Sequence, residues 1–274
     1  MNIVSRILNS RNPIRAIARF TVRTLDLGNF PFRLNIGAVE RPHYAYIVYQ
    51  AARLASQLGL PRISVLEFGV AGGAGLLCLE KHAEEVEKVF PDVKIDIYGF
   101  DTGAGLPPPV DYRDLPYHWQ EGFFAMNSTV LLPRLRRSKL IFGDVRETSA
   151  KFLTDYNPAP IAAVAHDLDY YSSTAPTLDL FLADAAFVLP RVFCYFDDTI
   201  GGDIELYCEF TGQRLAIREF NARNDSVKIA TPYYLRVADH GETWRHQIWV
   251  THIFNHPLYD KFVSDQNQQL PLDR

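Results

Sequence analysis

The chain has little sulfur and no disulfide pattern. Only three of its 274 residues are cysteine, namely Cys78, Cys194 and Cys208, and no C-x-x-C pair occurs. An odd, unpatterned set cannot close a disulfide framework. Cys78 and Cys194 sit in apolar runs and read as small core residues, so a reducing compartment, the cytoplasm, is expected. Charge of one sign is also scarce. The net charge of −4 excludes the strong basic field of a dedicated nucleic-acid binder. No apolar run approaches the roughly 20 residues of a membrane span. Two phosphate-binding fingerprints are missing as well. No Lys-Ser/Thr pair follows a glycine loop, and no G-x-G-x-x-G occurs.

Apolar residues are plentiful at 47%, enough for a full core and against global disorder. The length suits one large domain, or one domain with an appendage. We divide it into an N-terminal helical segment, residues 1–60, and a main domain, 61–274. The N-terminal segment is unusual in charge. Residues 1–25 hold five arginines (Arg6, Arg11, Arg15, Arg19, Arg23) and no acid. They contain no continuous apolar region and no small-residue cleavage site, so a secretory signal is not expected. Asn12-Pro13 reads as a cap followed by a first-turn proline. Ile14, Ile17, Ala18, Thr21, Val22 and Leu25 then recur at helical spacing. The result is a basic amphipathic helix. It suits packing on the domain, contact with a second copy in a homodimer, or lying on an anionic membrane surface.

A helix is expected over 44–58, closed by Gly59. Beyond residue 60 strand and helix alternate. Strands are expected at "ISVLEFG", "VKIDIYGFD", "KLIFGDV", "IAAVAHDLD" and "RVFCYFDD", with helices between them, the last from about 174 to 189. Ser173 or Thr174 reads as its cap. Alternation of this kind means crossover connections and a parallel sheet covered on both faces. The tail differs: "IATPYYLRV" and "RHQIWVTHIF" read as an edge hairpin. The expected fold is therefore α/β and Rossmann-like, a seven-stranded, mostly parallel sheet with a C-terminal antiparallel hairpin and extra N-terminal helices. Between the second strand and the next helix lies an aromatic- and proline-rich connection, 102–125. It reads as a substrate lid or as a loop packed on itself.

The first strand-to-helix turn is the informative stretch. In "VLEFGVAGGAGL" four glycines, Gly69, Gly72, Gly73 and Gly75, fall within seven residues. Ligands of open parallel sheets bind off the carboxyl ends of strands where the strand order reverses. Glycines there let a ligand approach bare backbone. Glu67, on the strand, would repel a pyrophosphate and suits a cationic or hydroxyl-bearing ligand. Four acids also fall at the ends of strands four and five: Asp167 and Asp169 in "AHDLDYY", Asp197 and Asp198 in "FDDT". Buried like charges are costly unless compensated. Four carboxylates on one rim ask for a hard cation such as Mg²⁺.

"VLEFGVAGG", with a second strand ending at Asp101, resembles the cofactor site of class I S-adenosylmethionine-dependent methyltransferases. "GFDTGAGLP", "FGDVRET", "DLDYYSST" and "YFDDTIGGDIE" resemble the macrocin O-methyltransferase (TylF-like) family of sugar-modifying enzymes. The motifs stand in the expected order over about residues 63–220. The resemblance implies that Gly69 and Gly73 line the methionine part of the cofactor and that Glu67 supports their loop. It implies that Asp101 holds the ribose hydroxyls and that Asp144 meets the adenine edge. The alternative role is a helix or loop cap for Asp101 and a strand-end cap for Asp144. It assigns a divalent metal, Mg²⁺, to Asp167, Asp197 and Asp198, with Asp169 the alternative to Asp167. Asp167 and His166 are the candidate catalytic residues. Neighbours in a strand point to opposite faces, so His166 faces away if Asp167 faces the site.

The activity implied is transfer of a methyl group from S-adenosylmethionine to a hydroxyl of a small molecule, such as a sugar. Two other functions fit some of the residues: a catalytically silent cofactor-binding partner protein, and an NAD-dependent oxidoreductase. The missing G-x-G-x-x-G weighs against the latter.

Overall fold

The computed structural model describes residues 13–237 and 242–264. Among the described residues three helices precede the sheet: α1 (Pro13–Thr24), α2 (Phe30–Ile36) and α3 (Pro42–Leu58). The expected cap at Asn12 and the two arginines before it lie outside the described residues. Strand β1 (Arg62–Phe68) is followed by α4 (Ala74–Val89), β2 (Lys94–Asp101), α5 (Ser128–Leu131) and β3 (Ser138–Phe142). Then come α6 (Val145–Tyr156), β4 (Ile161–His166), α7 (Tyr171–Thr177) and β5 (Val188–Phe196). The chain ends with α8 (Gly212–Arg223), β6 (Val227–Ala230), α9 (Tyr233–Val237) and β7 (Ile248–Ile253).

The strands form one seven-stranded sheet in the order β3-β2-β1-β4-β5-β7-β6. Strand β7 runs antiparallel to both its neighbours, while the other pairs are parallel. The expected architecture is therefore present, with the C-terminal antiparallel pair at one edge. The order reverses between β1 and β4, which places the ligand crevice at their carboxyl ends.

Three expectations about single elements need correction. The segment 229–237 is only half strand. Pro232 ends the extended chain, and Tyr233–Val237 turns as helix instead, proline being well suited to helix entry. The helix expected from about 174 to 189 starts earlier and stops sooner. Pro176 has no N–H to continue the ladder, so α7 ends at Thr177 and a 3₁₀ turn, Leu178–Leu182, follows. Strand β5 already begins at Val188. Nor do Ser173 and Thr174 cap that helix, since they lie inside it, and Tyr170 occupies the cap position.

Each face of the sheet carries its own apolar cluster. One joins α2, α3 and α4 to Ile63, Val65, Ala163, Ala165 and Tyr195. The other joins α6 and α8 to Leu66, Phe68, Phe100, Val164 and Phe196. Along a strand these sets alternate, as a period of two requires. Helix α3 belongs to the sheet's own core rather than to an appendage. Tyr44, Ala45, Ile47, Val48, Ala51, Ala52 and Ala55 are fully buried. Gly59, at φ 76, closes it in the left-handed conformation. Cys78 and Cys194 are buried, as their apolar surroundings suggested.

The glycine turn leaves β1 with Gly69 at φ +83. A Cβ there would lie 1.7 Å from the backbone oxygen of Asp167, so the turn and the end of β4 meet backbone to backbone. Gly69→Ala should cost roughly 3 kcal/mol, combining left-handed strain with overpacking against main chain. Gly72→Ala, whose Cβ meets nothing within 4 Å, should unfold at the wild-type urea midpoint. Equal midpoints for the two variants would contradict the close approach.

Candidate active site

Four strands end in a paired motif. Phe68-Gly69, Phe100-Asp101, His166-Asp167 and Phe196-Asp197 close β1, β2, β4 and β5. The first members are neighbours in register: Phe68 against Phe100 and His166, and His166 against Phe196. Their rings stack in a row, with centroids 4.6, 5.5 and 4.3 Å apart. The row packs on the α6–α8 side of the sheet. Alternation sends the second members, one glycine and three aspartates, to the rim.

This row removes His166 from the chemistry. Its ring is fully buried between Phe68 and Phe196, and its Nδ1 lies 3.3 Å from Thr177 Oγ1. Burial holds its pKa down at about 3. The expectation of His166 as a catalytic residue is corrected: it is the imidazole member of an aromatic layer and does not line the crevice.

The crevice is a cavity of about 510 Å³ over the carboxyl ends of β1, β2, β4 and β5. Glu67, Gly69, Asp101, Asp144, Asp167, Asp197 and Asp198 all line it. Its size is in the range of sites for small ligands. One half is made by the glycine turn. Gly73, at φ +80, is the N-cap of α4 and, against expectation, does not line the cavity: the space a Cβ on it would need is taken by Leu131. Glu67 is buried, with Oε1 accepting 2.7 Å from the Tyr44 hydroxyl. Gly75 makes room for it, since a Cβ there would stand 1.8 Å from the same oxygen. Burial raises Glu67 to about 8, against the opposing effect of the Tyr44 hydrogen bond and of Arg41.

Asp101 ties the second strand to this turn. Its Oδ2 accepts from the N–H groups of Val70 (2.9 Å) and Ala71 (2.8 Å), and its Oδ1 from Gly103 (2.6 Å). The two N–H groups fill Oδ2, so one acceptor position remains, on Oδ1. Asp144 caps α6 by accepting from the Arg146 N–H at 2.8 Å, and it pairs with the Arg146 guanidinium, which lowers its pKa. Both acids thus line the cavity while also capping local backbone.

The other half is acidic. Asp167, Asp197 and Asp198 each offer a carboxylate oxygen, and these atoms lie within 4.8 Å of one another. Burial, then Asp197 and Asp198, push Asp167 well above the usual carboxylate range. Burial, with Asp169 and Asp197, does the same to Asp198. Two of the three are held by hydrogen bonds. The Tyr195 hydroxyl donates to Asp197 Oδ1. The Asp169 N–H donates to Asp198 Oδ2 at 2.9 Å, and the Tyr207 hydroxyl to Asp198 Oδ1 at 3.2 Å. Asp169 lines the same cavity but stands outside the group of three. Such a donor set, hard and oxygen-only, fits a divalent cation such as Mg²⁺.

Sequence reasoning missed several lining residues. Arg41 enters from the cap of α3, at φ 40, an uncommon conformation for a residue with a side chain. Gln247 lines the cavity too, and its Nε2 donates to the Asp197 carbonyl at 2.5 Å. Both are far in sequence from any motif. Gln213, on α8, accepts from the Asp198 N–H at 3.0 Å and donates to the His166 carbonyl at 3.2 Å, bridging the ends of β4 and β5. The repeated aromatic-then-acid strand ending was a usable signal. The 102–125 connection forms a wall of the cavity through Pro107, Pro108, Trp119 and Phe124. It is pinned by buried Asp114, which accepts from the Ser172 N–H (2.8 Å) and hydroxyl (2.7 Å).

No protein-family model matches the chain, and no curated protein matches it. Solved structures do. The O-methyltransferase NovP superposes with a TM-score of 0.52 at 14% identity, covering 77% of this chain and 79% of its own. The fold is a Rossmann-like methyltransferase fold. CalS11, a calicheamicin methyltransferase, is 22% identical over 80% of this chain and 81% of its own, with a TM-score of 0.47. MycE, solved with Mg, S-adenosylhomocysteine and mycinamycin VI, aligns over 86% of this chain and 59% of its own, with 15% identity and a TM-score of 0.40.

The protonated state of Glu67 has a consequence for stability. Its carboxyl titrates at about 8 in the fold, against an ordinary 4.5. Between those values the folded chain binds a proton that the unfolded chain has lost, so stability falls as pH rises through that window. Glu67→Gln should flatten the decline between pH 5 and pH 8 in thermal melts. Asp169, also raised to about 8 by burial and by Asp167, should keep a residual slope. A variant as pH-sensitive as the wild type would contradict the assignment.

Proposed function

We propose that this chain is an S-adenosylmethionine-dependent O-methyltransferase, assisted by a divalent metal, acting on a hydroxyl of a small molecule such as a sugar. One observation carries the reading: a glycine turn and a three-carboxylate cluster open into the same cavity, joined where Gly69 meets Asp167.

The residues present suit both groups. Gly69 and Gly72 offer bare backbone for the methionine end of the cofactor, supported by Glu67, whereas the space beside Gly73 is filled by Leu131. Arg41 is the cation beside that turn and suits the methionine carboxylate. Asp101 suits the ribose hydroxyls, and Asp144 the adenine edge. When bound, the cofactor supplies a methyl group already activated on a sulfonium. Asp167, Asp197 and Asp198 would hold the metal, which supplies charge to lower the acceptor's pKa.

The chain's own residues then do three things. The turn and the acid rim line one cavity and would hold donor and acceptor side by side. The 102–125 wall, with Trp119 and Phe124, excludes water. Asp169, in the same cavity and outside the metal set, is raised to about 8 by burial and by Asp167 and Asp197. A cation on those two acids would lower it, leaving a carboxylate that would take the acceptor hydroxyl's proton as the oxygen–carbon bond forms and the carbon–sulfur bond breaks. Asp167 acts here as a ligand rather than as the base.

Calorimetry should show binding of S-adenosylhomocysteine and none of NAD. Tight NAD binding with no heat from the nucleoside would overturn the reading in favour of an oxidoreductase. With an acceptor found by screening hydroxylated compounds against a labelled methyl donor, Asp169→Asn should lower kcat about 100-fold or more while leaving nucleoside binding unchanged. Full turnover in that variant would remove Asp169 from the mechanism. Nucleoside binding without transfer to any acceptor would favour the silent partner protein.

A further inference from the structure

Helix α1 faces the opposite way from a helix buried by its apolar side. Its side chains that turn toward the protein are Ala16, Arg19 and Val22, each half-buried. Arg19 is the anchor: it pairs with Glu242, itself nearly buried, and donates to the Ile36 carbonyl. The apolar stripe set by helical spacing, Ile14, Ile17, Ala18, Thr21 and Leu25, points outward. Ile14 is 80% exposed, Ile17 52% and Leu25 62%. The exposed apolar set continues along the chain through Leu27 and Phe32. Monomeric proteins rarely leave such a stripe unused.

The charge pattern selects what covers it. Residues 1–25 carry five arginines and no acid, and setting these aside from the net −4 leaves −9 on the rest of the chain. Arg23 is exposed on α1. A second copy of α1 laid against this stripe would bring arginine toward arginine with no acid of its own to pair. An anionic bilayer offers both requirements, acyl chains for the stripe and phosphates for the arginines. The acidic body would be repelled by the same surface, which limits contact to the N-terminal end.

We propose that α1 docks this chain on an anionic lipid surface, with Ile14, Ile17 and Leu25 inserted at the headgroup boundary and Arg23 beside the phosphates. The helix lies in the interface and does not cross it. Among the described residues no helix is long and apolar enough to span a bilayer.

Vesicle flotation with the full chain tests this. Mixed phosphatidylcholine–phosphatidylglycerol vesicles should carry at least about tenfold more protein than phosphatidylcholine alone. About 0.5 M salt should release most of it. Ile17→Asp with Leu25→Asp should abolish flotation. Both positions are exposed, so melting should be unchanged, and binding of S-adenosylhomocysteine should persist in any protein that binds it. Arg23→Glu should weaken binding to anionic vesicles only. Equal binding to both vesicle types, no binding to either, or undiminished binding by the double variant would overturn the proposal. So would light scattering that finds a dimer which the double variant splits, since the stripe would then belong to a second copy.

Discussion

The backbone contact between Gly69 and Asp167 is the constraint on which the site depends. Two chain segments about a hundred residues apart come so close that no side chain fits between them. The glycine thus does more than loosen a turn. It allows the end of β4 to lie beside the end of β1 at the point where the strand order reverses. A ligand bound at the turn and a cation bound at the rim would thereby be neighbours. Separate either segment and the cavity becomes two unrelated pockets.

Charge is the second theme. Glu67, Asp167, Asp169 and Asp198 are buried or nearly so, and burial drives each toward its neutral form. Arg41, at the N-cap of α3, faces two of them, Glu67 and Asp167. Around these acids the fold supplies oriented hydroxyls and amides, from Tyr44, Tyr195, Tyr207 and Gln247. Structural carboxylates on a surface need no such holding. A rim whose acids are fixed in position and crowded together is preorganised to receive positive charge. Helix α3 takes part in this support. Tyr44 reaches Glu67, and His43 stacks on Tyr195 at 4.3 Å, so one helix steadies both halves of the cavity.

Much of this was legible in the sequence. Alternating apolar runs gave five parallel strands, and the acids after them fell at the rim because side chains alternate along a strand. The same alternation turned His166 inward, and the repeated aromatic at the end of each strand explains what it packs against. Other features were hidden for physical reasons. Tyr233, Tyr234 and Leu235 have good strand propensity, yet Pro232 converts them to a helix. Pro176 ends α7 a turn after it has formed. Helix α8, which carries Gln213, gave a weak periodic signal beside its many polar residues. Arg41 and Gln247 reach the cavity only through tertiary packing, which local pattern does not encode. Asp101 and Asp144 were read with two roles open, and the structure has them capping backbone while lining the cavity.

The central claim is that Asp167, Asp197 and Asp198 form one cation site beside the glycine turn. Crystals grown with Mn²⁺ and measured near its absorption edge test it most directly. The account predicts an anomalous peak within bonding distance of all three carboxylates. A map with no peak there, or with a peak only at other acids, would contradict it.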